Sequence, residues 1–164
     1  IDTDIEGKVY VSSIHQKSSK FIFGNQVNFI RIRPHKFFGS VKVSNKSGTF
    51  RVTDTEKTIL DCFDLPRYVI SYKTLMKRVL DIPLNQEKLF EYRTRMKNLS
   101  VLKRLAYLFE SNNRNYYRDF LNAVIRQLND RYTLLDPSGP ETGPFIAKWR
   151  IRNNVPVQDL SLPS

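Results

Sequence analysis

The residues best placed to do chemistry are Glu6-Gly7-Lys8, a Glu-x-Lys step. In a restriction-type nuclease such a step holds a metal ion and steers water, provided that an acid stands on a neighbouring paired strand. Only Asp2 and Asp4 precede it here, too close in sequence to lie on such a strand. Other metal chemistry lacks its ligand spacing, because His15 and His35 are far apart and Cys62 stands alone. Among 6 glycines there is no phosphate-cradling loop, and no nucleophile elbow occurs. The expectation is no catalytic residue, no cofactor and no metal.

Charge is the stronger signal. The 164 residues carry 27 Lys and Arg against 16 Asp and Glu, a net charge of +11. Such an excess favours anionic partners such as nucleic acid, and an ordinary solvated basic surface is its other reading. Basic residues concentrate at Lys88, Arg93, Arg95, Lys97, Lys103, Arg104, Arg114 and Arg118, interleaved with Tyr92, Tyr107, Tyr116 and Tyr117. On one face they would position double-stranded DNA weakly through its phosphates, without reading bases. Lys103 and Arg104 adjoin an apolar stripe, so packing with one structural ion pair, for example to Asp61, competes with phosphate contact.

The elements that position these residues can be read from periodicity. Val9–Val11, Phe21–Phe23, Val27–Arg33, Val41–Val43 and Thr49–Val52 alternate like strands, with turn residues at Gly24-Asn25 and Lys46-Ser47-Gly48. The apolar residues of Val27–Arg33 fall on both faces, which predicts a strand covered on both sides. At Thr53 the period changes. Thr53-x-x-Glu56 has capping-box spacing, and Ile59, Leu60 and Phe63 form a stripe that Pro66 terminates, so a helix is expected over Asp54–Asp64. Lys57 and Asp61 are spaced as an i,i+4 pair. Further helices are expected to open at Ser71, Asn85 and Ser100, with Leu89, Phe90 and Met96 as the stripe of the second. A fifth is expected over Tyr116–Asn129.

Strand pattern returns in Tyr132–Leu135 and Phe145–Ile151, around a rigid loop containing Asp136, Pro137, Pro140 and Gly143. Strands on either side of a helical block indicate an α+β class. The expected arrangement is one mixed sheet, N-terminal strands completed by C-terminal ones, packed against about five central helices. Residues 1–164 would be a single domain, and 155–164 an exposed tail. No apolar run reaches the roughly 20 residues needed to span a membrane, and the lone cysteine fits a reducing cytoplasm.

Three segments in order, Thr53-Asp-Thr-Glu-Lys-Thr-Ile-Leu-Asp61, Lys103-Arg-Leu-Ala-Tyr-Leu-Phe-Glu110 and Leu135-Asp-Pro-Ser-Gly-Pro-Glu-Thr-Gly143 with Trp149 and Asn153, resemble the C-terminal domain of the AbiE-type abortive-infection antitoxins. The resemblance covers Lys8 to Asn154 and departs at Ala106, where the family pattern has glycine. It makes Thr53, Glu56, Asp61, Asp136, Pro137, Trp149 and Asn153 motif positions of architectural role. It also implies a bacterial transcriptional regulator that represses its own operon through an upstream winged helix, which the observed start places outside these residues. Such a regulator opposes a co-encoded nucleotidyltransferase-like toxin in a type IV scheme, with no direct complex expected. Two other classes stay open: a nucleic-acid-binding module unconnected to a toxin, and a divergent metal-dependent nuclease.

Overall fold

The computed structural model describes residues 8–46, 48–69 and 71–156. The expected acids Asp2, Asp4 and Glu6 lie outside them, as does most of the expected tail. The class is α+β, with strands towards both ends and five α-helices between them. The chain divides into two compact units, Ile1–Phe38 and Gly39–Ser164, where the sequence suggested one domain.

The first unit holds β1 (Lys8–Ser13), β2 (Lys20–Ile22) and β3 (Asn25–Arg31) in the order β1-β3-β2. β3 runs parallel to β1, from Lys8↔Gln26 to Ser13↔Arg31, and antiparallel to β2. β3 is central in the sheet, but Ile30 and Ile32 are buried while Val27 and Phe29 are only half-buried, so the expected cover on both faces is incomplete. The β2–β3 connection is the two residues Phe23 and Gly24, both at positive φ (48° and 79°), the geometry of a type I′ hairpin turn.

In the second unit β4 (Ser40–Asn45) and β5 (Gly48–Thr53) form an antiparallel hairpin. Val41 pairs with Val52 and Val43 with Phe50, which places the four on one face, while Lys42 opposite Arg51 and Ser44 opposite Thr49 occupy the other. Five helices follow: α1 (Thr55–Asp64), α2 (Tyr72–Asp81), α3 (Gln86–Met96), α4 (Leu99–Ser111) and α5 (Arg118–Ile125). Asn98, not Ser100, caps α4, and a 3-10 turn at Asn115–Tyr117 precedes α5. Ser71 and Asn85 cap α2 and α3 as their types predict.

α4 is the hub of the core. Val101, Leu102, Leu105, Ala106, Leu108 and Phe109 are all buried, and the helix packs against α1, α2, α5 and the C-terminal strands. On α3 the stripe is Leu89, Tyr92 and Met96, while Phe90, expected inside, is exposed. Tyr92 takes the inner position with Leu89 and Met96, and its hydroxyl finds a partly buried partner, described below.

The C-terminal strands correct the expected sheet. β6 (Thr133–Leu134), β7 (Phe145–Ile146) and β8 (Ile151–Arg152) pair among themselves in the order β6-β8-β7 and do not complete the N-terminal sheet. A 3-10 turn at Ala147–Trp149 breaks the expected continuous strand. Arg150 takes up the reversal at φ 52°, a left-handed conformation that is costly for a side-chain-bearing residue. Val155, assigned to an exposed tail by the sequence, is buried.

Candidate functional site

The first motif segment forms α1, and the helix N-terminus gathers its carboxylates. The cap is Asp54, not Thr53: Asp54 Oδ1 accepts from the Lys57 amide at 2.9 Å. Thr53 instead bonds Thr58 through their hydroxyls at 2.7 Å. Asp54 Oδ2 accepts from the Tyr92 hydroxyl at 2.7 Å and from Lys88 Nζ at 3.1 Å, both on α3. Glu56 does not fold back as a capping-box residue. Only 5% exposed, it accepts from the Asn85 amide at 2.7 Å and lies 3.5 Å from Lys88 Nζ. Lys57 is buried and forms the expected i,i+4 pair with Asp61. The segment thereby joins α1 to α3. Gly39 permits the approach: it sits at φ +65°, and a Cβ there would stand 2.8 Å from Lys57 Cβ.

Burial pushes the Asp54 carboxyl up, but hydrogen bonds from Tyr92, the Lys57 amide and Lys88 outweigh it and hold the group below 3.8. The hydrogen bond to Asp54 raises Lys88, and burial together with that carboxylate raises Tyr92. A general acid or base needs its pKa moved toward the working pH. In this cluster each shift moves away from neutrality.

The second segment is bonded to the chain that leads into the third and, through Glu110 and Tyr107, to Trp149 and Asn153. Lys103, 2% exposed, donates to Asn129 Oδ1 at 2.9 Å and to the Arg131 carbonyl at 2.5 Å. Arg104, also buried, donates through Nε to the Leu134 carbonyl at 2.9 Å; its expected partner Asp61 is engaged by Lys57. Burial lowers the pKa of both cations. At the far end of α4, Glu110 accepts from Trp149 Nε1 at 2.7 Å and from Lys148 Nζ at 2.5 Å. The buried Asn153 donates to the Tyr107 hydroxyl at 3.4 Å.

Asn154 holds the Asp136-Pro137 loop. Its Oδ1 accepts from the Asp136 amide at 2.9 Å, and its Nδ2 donates to the carbonyls of Asp136 and Pro140. Gly143, at φ +91°, passes so close to this strand that a Cβ would stand 2.0 Å from the Asn153 carbonyl oxygen. Internal hydrogen bonds from Asn154 thus hold the loop at both Asp136 and Pro140.

The chain has no match among protein-family models, curated proteins or solved structures. The site is therefore read from its own geometry.

The eight candidate phosphate contacts do not gather into one footprint. Lys103 and Arg104 are inside the fold. Lys88 is bonded to Asp54, and Arg95 lies 3.6 Å from Glu91. Arg93 lies 4.0 Å from the Phe90 ring centroid and donates to the Phe90 carbonyl. Arg114 donates to the Leu80 carbonyl at 2.6 Å. Lys97 is the left-handed C-cap of α3 and is exposed, and Arg118 opens α5, also exposed. Among the described residues no group of three His, Cys, Asp or Glu side chains is placed to hold a metal ion.

Sequence reasoning missed the roles of Asp54 and Glu110, and it reads Asn154 with Asn153 as a cap to the last strand where the residue braces the Asp136 loop. Asp54 carried a usable signal, since aspartate caps helices more strongly than threonine. Glu110 and Asn154 carried none, because their partners lie 39 and 18 positions away.

Proposed function

We propose that this chain is a non-catalytic regulatory domain of a transcriptional regulator and antitoxin of the AbiE-type abortive-infection systems. The observation that supports the reading is that the polar motif residues are bonded inside the fold. Asp54 and Glu56 bind α3, Arg104 binds Leu134 and Glu110 binds Trp149. On this reading these residues serve as internal braces of the architecture. The pKa shifts of the α1–α3 cluster support the same conclusion. On this reading the protein works in the cytoplasm, its parent represses an operon through a winged helix, and it counteracts a nucleotidyltransferase-like toxin without forming a stable complex. No helix among the described residues is long and apolar enough to cross a membrane.

Co-expression of the full-length parent with its operon neighbour tests the proposal by growth. Toxicity of the neighbour alone and rescue by the parent are expected. Rescue by residues 1–164 alone would place neutralisation in this domain. A harmless neighbour would overturn the antitoxin role and leave a plain nucleic-acid-binding module.

A further inference from the structure

The C-terminal sheet carries a surface that the antitoxin reading does not use. Tyr132 and Phe145 meet edge to face, ring centroids 4.8 Å apart, at 39% and 58% exposure. Each ring has a guanidinium over one of its faces, Arg150 at 5.6 Å from the Tyr132 centroid and Arg152 at 5.1 Å from that of Phe145, which leaves the other face of Phe145 for a base. The strand register produces this order. Arg152 lies directly between Leu134 of β6 and Phe145 of β7, so its side chain and the Phe145 ring share a sheet face. The left-handed Arg150 precedes β8 and directs its Nη1 to the Tyr132 hydroxyl at 3.4 Å. Arg150 also lies 3.5 Å from the fully exposed Asp130, whereas Arg152 has no ion pair among the described residues.

We infer that this face binds single-stranded nucleic acid, an unpaired base stacking on Phe145 while Arg150 and Arg152 contact the adjoining phosphates. Open aromatic rings on a sheet present π-faces that any unpaired base can cover, and neighbouring arginines supply the charge that tracks the backbone. A net charge of +11 complements such a polyanion. Duplex DNA offers no free base face to these rings and would meet the arginines only. The binding is sequence-tolerant, because the side chains at the patch contact a ring face and phosphates and leave base edges unread.

The test is fluorescence anisotropy of the 164-residue chain with labelled ten-nucleotide oligouridylate, oligothymidylate and a duplex of the same length. Binding to at least one single strand is expected, tighter than to the duplex, and the ratio of the two single strands reads whether RNA or DNA is preferred. Phe145→Ala should weaken it by about 5- to 100-fold, the worth of one stacked base, and Phe145→Leu by a comparable factor although it keeps apolar contact. Arg152→Gln should reduce the slope of log affinity against log salt by about 0.7, one phosphate contact on a single strand. Phe145 is exposed and Arg152 half-buried, and unchanged circular dichroism of either variant secures the interpretation. Equal affinity of Phe145→Ala and the unmutated chain, tighter binding of the duplex, or no binding of either strand would each overturn the inference.

Discussion

Lys103 and Arg104 on α4 and Arg150 and Arg152 around β8 are two cation pairs of the same basic chain with opposite fates. The first pair lies under the core stripe of a helix, where each cation meets carbonyl oxygens of the returning chain. The second stands beside exposed aromatic rings on a small sheet. Net charge did not distinguish them. What did is the geometry of the element: α4 is packed on several sides, so even its polar positions turn inward, whereas a sheet edge-bounded by short strands leaves one face to solvent. A buried cation must be hydrogen-bonded to be tolerated, and it therefore cannot also hold a ligand.

The difference between the two regions can be measured. Trp149 joins the two regions, being buried against α4 and bonded to Glu110. Trp149→Ala should cost about 3–5 kcal/mol in urea unfolding and should also weaken the C-terminal face. Asp54→Ala removes a helix cap and should cost about 1–2 kcal/mol, whereas Thr53→Ala should cost less. Asp54 is held below 3.8 in the folded protein, so its contribution is complete above that value and is lost as pH falls through the lower folded value. Stability measured against pH should therefore show a component below pH 3.8 that Asp54→Asn lacks. Burial, with the Asp61 charge beside it, pushes the Cys62 thiol up to about 11. At pH 8 its alkylation should be far slower than that of a free thiol, and equal rates would show that α1 opens readily. Arg152→Gln, at a half-buried position, should cost about 1 kcal/mol or less.

Much of the fold was legible because it rests on local pattern. The strands β1 to β5 follow the alternation of Val, Phe and Ile, and α1 to α3 begin where Asp, Ser and Asn can cap. The three separate sheets were not legible, since pairing between distant strands leaves no mark in either strand alone. The site was legible only as a set of motifs. Lys57 and Asp61 are four residues apart and so could be paired from spacing, but Glu56 with Asn85 and Glu110 with Trp149 depend on how α3 and the C-terminal turn fold back. Thr53 misled because its spacing to Glu56 mimics a capping box, while the stronger cap, Asp54, stood beside it. Phe90 misled because it shares a face with Leu89 in a helical wheel drawn too broadly; Tyr92 wins the inner position through its bond to Asp54.

The most direct measurement is urea unfolding of Lys103→Met beside the unmutated chain. Losing the donors to Asn129 and Arg131 should lower stability by about 1–3 kcal/mol, with an unchanged denaturant slope. An unchanged midpoint would contradict the account, because Lys103 would then be a solvent-facing cation free to meet a phosphate.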